Sequence, residues 1–423
     1  MKIAFVGMSH LGLIYSVVYA QKGYEVVCID PDEKLIRKLK MGDLSIQEPH
    51  LNNVFEEVRD RLFFTSDYTH VKDCKVVYIS RDVSTDEIGN SQLEEITQLV
   101  NKVLANVALD SHLIILCQVP PGFTRRIQNN AKCNVLYQVE TLVFGNAIVR
   151  AQNPERIILG LPSNREGAPQ DILDLLECFQ CPILQMSYES AELAKISINI
   201  FLASSVTTAN TLAELCEKLG ANWNDIKKAL RLDMRIGLNS YLNAGLGISG
   251  GNIERDLRTT LKLSQQWDTH SSFLEGIISN SQDRKTWPSK IVMNELNAKG
   301  KHHRLAIWGL AYKSNTNSLK NSPSIENINA LIELFEISVS DPVAQLPKEL
   351  ENRIMFSKEA LSILQGADAL LILTDWDDYR NFQISTILSR LNRPLIIDPY
   401  GVLKDKNLEG VKYYTLGARA ENF

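Results

Sequence analysis

Lys2-Ile3-Ala4-Phe5-Val6-Gly7-Met8-Ser9-His10-Leu11-Gly12 opens the chain with an apolar run, a glycine, a small polar residue and then apolar residues at helical spacing. Five residues ending at a glycine read as a short buried strand, and the spacing beyond them predicts a helix over His10–Lys22. A glycine-rich turn between strand and helix is the setting in which backbone N–H groups at a helix N-terminus face a pyrophosphate. The fingerprint is G-x-G-x-x-G with Ser9 in place of the middle glycine; serine is still small, and its hydroxyl could donate to a phosphate. Gly7, Ser9, His10, Leu11 and Gly12 are therefore candidate cofactor residues, His10 through its backbone. A second strand, Tyr24–Asp30, ends in a carboxylate placed to accept hydrogen bonds from the ribose hydroxyls of NAD and to repel the extra phosphate of NADP. The competing reading is a tight strand–helix turn, with Asp30 capping the helix that follows.

Working outward, strand and helix alternate. A charged helix (Asp32–Lys40), a strand near Lys75–Ser80, a helix near Leu93–Ala108 and strands at Leu113–Cys117 and Val135–Val139 predict a parallel sheet with right-handed crossovers. Ile157–Leu161 and Ile183–Met186 could add two strands. From about Glu189 one long amphipathic run without proline reaches Leu219, and Gly220 supplies a stop signal. Helical segments continue to about Ala298, interrupted by the glycine-rich stretch Ala244–Gly251. After the polar stretch Leu296–His303, read as a solvated linker, alternation resumes with strands at Arg304–Gly309, Ile337–Ser340, Ala369–Thr374 and Pro394–Asp398 and a helix at Ser324–Phe335. The expected fold is α/β: an N-terminal Rossmann-type domain (1–188), a central helical domain with one long helix (189–298) and a C-terminal Rossmann-like α/β domain (299–423). The strand–glycine starts of the first and third parts resemble each other.

The 423 residues carry a formal net charge of −5, with 44% hydrophobic and 22% charged residues. That balance is ordinary for a globular chain and argues against nucleic acid or an anionic membrane as partner. An apolar strand at the very start leaves no room for a signal sequence, so a cytoplasmic location is expected. The seven cysteines are odd in number and lie mostly in apolar stretches, which argues against a disulfide framework. Cys178-Phe-Gln-Cys181 lacks a second CxxC or a histidine pair and reads as packing. The seven histidines show no ligand spacing, so no metal is expected.

Several ordered motifs together resemble the UDP-glucose/GDP-mannose dehydrogenase family over nearly the whole chain. They are Ser45-Ile-Gln-Glu48-Pro49-His-Leu51, Gln118-Val-Pro-Pro-Gly122, Asn153-Pro-Glu-Arg156, Gly309-Leu-Ala-Tyr-Lys313 with Ser322-Pro323, Asp341-Pro-Val-Ala344 and Thr374-Asp-Trp376. The resemblance implies an NAD-binding domain, a central helical domain that forms a homodimer through its long helix, and a C-terminal domain for a nucleotide sugar. The family oxidises C6 of that sugar twice, trapping the intermediate aldehyde on a cysteine thiolate.

Here the corresponding run is Ser249-Gly250-Gly251-Asn252-Ile-Glu-Arg-Asp256, with Asn252 at the nucleophile position. An amide nitrogen is delocalised and does not add to a carbonyl as a thiolate does. Lys195 and Asn199, four apart on the long helix, match the family's residues beside the reacting carbon, as do Asp256 and Glu140. Lys320 stands where the family has a cofactor-contacting arginine. Arg235, across the dimer, and Tyr241, Asn243, Gly250, Asn252 and Lys313 are the expected substrate residues. Gln118, Phe144 and Tyr400 replace a threonine, a glutamate and an arginine of the pattern. Lys195 and Asp256 supply what one hydride transfer requires. The expected activity is therefore NAD-dependent oxidation of a nucleotide-activated sugar in a single two-electron step. Full four-electron oxidation through a hydrated aldehyde, a non-catalytic sugar-nucleotide-binding relative and a redox-neutral epimerase stay open.

Overall fold

The computed structural model describes all residues except Ser45, Glu87, Ile88, Asn164, Arg165, 297–302 and Phe423. The chain divides into two compact units, Met1–Ile198 and Asn199–Phe423. The first is built on strands β1 (Lys2–Val6), β2 (Glu25–Ile29), β3 (Leu62–Thr65), β4 (Val76–Ile79), β5 (His112–Ile115), β6 (Asn134–Gln138), β7 (Ile157–Leu161) and β8 (Ile183–Ser187). Their order is β3-β2-β1-β4-β5-β6-β7-β8. β1 and β4 are apolar along nearly their whole length because helices cover both faces of the sheet. The expected all-parallel arrangement fails at one place: β7 runs antiparallel to β6, with Tyr137 opposite Gly160. The link between them contains the six-residue helix Ala147–Gln152. β3 went unread in the sequence because it is a short edge strand, with Phe63 exposed.

Local chemistry fixes the cofactor end of this unit. The helix His10–Gln21 packs so closely on β1 that a β-carbon at Gly12 would sit 1.9 Å from the Gly7 carbonyl oxygen. Asp32 accepts from the N–H groups of Lys34 and Leu35, starting the helix Glu33–Met41, and Gly42 at φ +86° ends it.

The long helix runs Tyr188–Leu219 and stops at Gly220, whose φ is +75°. By length and composition it could cross a membrane, with a window of mean hydropathy 1.2. Its first turns, however, pack Tyr188 and Ala191 into the β-sheet core.

The second unit holds the helices Trp223–Leu232, Asn252–Gln266, Ser272–Lys285 and Trp287–Leu296. Its sheet comprises β9 (Arg304–Trp308), β10 (Glu336–Ser340), β11 (Met355–Ser357), β12 (Ala369–Ile372), β13 (Leu395–Ile397), β14 (Lys412–Tyr414) and β15 (Glu421–Asn422). The order is β11-β10-β9-β12-β13-β14-β15, parallel except for the last pair. Trp308 is fully buried and donates to the Ala360 carbonyl at 2.8 Å. Most of the expected linker, 297–302, lies outside the described residues. Its last residue corrects the reading: His303 is buried, not solvated, with Nδ1 3.2 Å from the Asp368 carboxylate.

Gly12→Ala should therefore cost about 2–3 kcal/mol in urea unfolding, since the helix must lift from the strand. Gly276→Ala, on an exposed helical face with nothing near its β-carbon, should instead gain about 0.5–1 kcal/mol.

Candidate functional site

The turn after β1 is shaped for an anion. Gly7 sits at φ +100°, and a β-carbon there would come within 2.6 Å of the Arg81 β-carbon. The N-cap residue Ser9 caps nothing with its side chain. Among the described residues, the first-turn N–H groups of His10 and Gly12 find no protein acceptor. A glycine cradle with open N–H groups at a helix start fits the pyrophosphate of a dinucleotide.

Asp30, at the end of β2, is fully buried. Its Oδ2 accepts from the Met8 N–H at 2.8 Å and its Oδ1 from the Asp32 N–H at 2.9 Å, while Arg81 Nη1 stands 3.4 Å from Oδ2. The carboxylate thus staples the turn, with lone-pair capacity left over for a further donor. The Ser9 hydroxyl accepts from the Asp82 N–H at 2.8 Å and is directed at the Ser80 carbonyl, so it is engaged by the protein. The His10 ring lies 2.9 Å from Glu48 and against the Phe144 ring, 4.2 Å between centroids. Glu48, almost wholly buried, also accepts from the N–H groups of Gly145 and Ala147.

Along the long helix, three side chains reach partners distant in sequence. Glu192 accepts from the N–H groups of Gly122 and Thr124 and so caps the helix Phe123–Asn130; burial pushes its carboxyl up. Lys195 Nζ lies 2.7 Å from Glu140 Oε1, both side chains being nearly buried, and the other Glu140 oxygen accepts from the Leu142 N–H. One turn further, Asn199 donates to Asp256 Oδ2 at 2.5 Å, and Asp256 is buried with Arg255 Nε 3.5 Å from its other oxygen.

In the second unit, Asn252 is the first residue of its helix and is exposed. Gly250, at φ +74°, lies so close to the Tyr312 ring that a β-carbon would approach to 2.9 Å. Its N–H donates to the Lys320 carbonyl at 3.1 Å, pinning the glycine-rich stretch to the 312–321 loop. That stretch borders a cavity of about 790 Å³, within the range of small-molecule sites. Tyr241, Asn243, Lys313 and Tyr400 line it, joined by Lys227, Arg380, Lys404 and Arg419. Five of those side chains are cationic. Lys227 donates to Asn243 at 2.9 Å, and its pKa is lowered, chiefly by burial and then by the charges of Arg231, Lys404 and Lys228. Arg235 stands apart, exposed and paired with Asp233 at 2.7 Å.

A UDP-glucose 6-dehydrogenase of Rickettsia bellii is 30% identical to this chain, covering 99% of it and 100% of the relative. The chain belongs to the UDP-glucose/GDP-mannose dehydrogenase family. The family's NAD-binding, central and UDP-binding domains match residues 1–176, 189–282 and 306–405. A UDP-glucose 6-dehydrogenase of Rhizobium meliloti is 28% identical, covering 99% of each chain. In fold, the chain is similar to a UDP-glucose dehydrogenase of Pyrobaculum islandicum, with TM-score 0.87, 23% identity and 99% and 98% of the two chains covered. This member of the UDP-glucose/GDP-mannose dehydrogenase family is an NAD-dependent nucleotide-sugar dehydrogenase.

Sequence reasoning missed Arg81, Asp82, Lys227 and Lys404. A polar pair directly after a buried strand (Ser80-Arg81-Asp82) was the available signal for the first two. The lysines carried none, because each lies on an element that reads as an ordinary solvated face. Lys227→Met should weaken UDP binding, measured by calorimetry, by about tenfold, as loss of a charged hydrogen bond implies. A bound diphosphate favours protonated Lys227 and raises its lowered pKa. UDP affinity should therefore fall as pH rises through the alkaline range, and fall less steeply in the variant.

Proposed function

We propose that this dehydrogenase performs one two-electron oxidation of a nucleotide-activated sugar and releases the carbonyl product. The observation that carries the reading concerns thiols. The first position of the helix Asn252–Gln266, where a helix N-terminus would stabilise a thiolate, holds an amide. No other cysteine offers a substitute. All seven are unpaired, and burial raises the pKa of every one, Cys28 to about 12 and Cys74 to about 11.

The remaining residues suit a single step. Asp256, held by Asn199, accepts the hydroxyl proton directly or through water, and the Lys195 ammonium stabilises the developing alkoxide. Gly7, Gly12 and Asp30 would hold NAD⁺, which would supply the hydride acceptor, so that alcohol and NAD⁺ would give carbonyl, NADH and a proton. The cationic cavity suits a nucleoside diphosphate, and the relatives' names make UDP-glucose the first substrate to try. A homodimer is supported by Phe201, Leu215 and Leu219, exposed on the long helix. Seven free thiols favour a reducing, cytoplasmic compartment.

A second reading keeps four-electron chemistry, with Glu140, held beside Lys195, as base for a hydrated aldehyde. Product analysis separates the two. One NADH per sugar, with a product two hydrogens lighter that hydroxylamine captures, is expected; two NADH and a uronic acid would overturn the single step. Lys195→Ala should lower kcat about 100-fold with little change in KM.

A further inference from the structure

The segment leaving β4, Ser80-Arg81-Asp82, crosses the cofactor cradle and puts a side chain on each of its two working parts. Asp82 Oδ2 accepts from the Leu11 N–H at 3.1 Å. Leu11 is the second residue of the helix His10–Gln21, so Asp82 does from a distance what the N-cap Ser9 does not. Arg81 lies over Asp30, with Nη1 3.4 Å from Oδ2, and its Nε reaches Glu95 at 3.0 Å. The Ser9 hydroxyl holds this segment down by accepting from the Asp82 N–H at 2.8 Å.

The first-turn N–H groups of such a helix are the ones a pyrophosphate uses. A carboxylate on Leu11 occupies one of them and brings a like charge to the place where the dinucleotide's own charge must sit. The structure assigns Asp82 the role of an internal anion in the cofactor cradle: it competes with the pyrophosphate and sets the dinucleotide affinity, with Ser9 as its tether. Dinucleotide entry then requires Asp82 to leave Leu11. The serine that breaks the glycine fingerprint thereby acquires a function, because a glycine there would have no oxygen to hold the competing segment. Asp82 is exposed, so replacing it disturbs no core packing.

The test uses the full-length protein and binding alone, independent of sugar substrate or turnover. ADP-ribose and adenosine are titrated by calorimetry into the wild type, Asp82→Ala and Ser9→Gly. Asp82→Ala should bind ADP-ribose about tenfold more tightly, with adenosine unchanged because it carries no pyrophosphate. Ser9→Gly should shift ADP-ribose affinity in the same direction by a smaller factor. Without ligand, Asp82→Ala should melt a few degrees lower, having lost a helix cap, and saturating NADH should reverse that order. Unchanged or weaker ADP-ribose binding by Asp82→Ala overturns the assignment, as does equal tightening of adenosine, which would mark a general loosening of the cleft. Failure of the single-step reading would appear in product stoichiometry and leave these titrations untouched.

Discussion

A buried carboxylate tied to the backbone just beyond a glycine is the contact on which both halves of this molecule turn, and it occurs twice. In the first unit Gly7 donates to Ile29 at 2.7 Å and Asp30 accepts from the Met8 N–H. In the second, Gly309 donates to Ser340 at 2.7 Å and Asp341 accepts from the Leu310 N–H at 2.7 Å. Both glycines adopt the same left-handed conformation, φ +100° and +98°. In each turn an aspartate at the end of the neighbouring strand accepts from the N–H that follows the glycine, without a ligand.

The two copies differ in what they leave over. Asp341 also accepts from the N–H groups of Ala311, Val343 and Ala344, and Trp376 Nε1 lies 3.3 Å away; this carboxylate is structural throughout. Asp30 has fewer backbone donors and a guanidinium close by, which leaves it lone-pair capacity. One scaffold thus carries a fully engaged carboxylate in one unit and a less engaged one in the other. The difference lies in a few donors, not in backbone geometry.

Much of this was legible in the sequence because it rests on local rules. A strand ending at Gly7 and a long run ending at Gly220 each follow from residue type and spacing. Pairing across sequence distance was not. The antiparallel direction of β7 shows only in its pairing with β6, Tyr137 opposite Gly160. Glu48 reaches Gly145, and Glu192 reaches Gly122, across 97 and 70 residues. His303 looked solvated because its neighbours are polar, yet strand pairing draws it inward to Asp368. At the candidate site, helical period put Lys195 and Asn199 on one face, but they and their partners Glu140 and Asp256 were singled out through likeness to a family. Lys227 had no such support, since a cavity wall assembled from separate elements leaves no periodic trace.

The state of the seven sulfurs reaches beyond catalysis. Peroxides and electrophiles attack the thiolate, and a thiol whose ionisation is opposed by burial reacts slowly with either. Fully buried thiols such as Cys28 and Cys117 should therefore be slow to take up an electrophile while the chain stays folded.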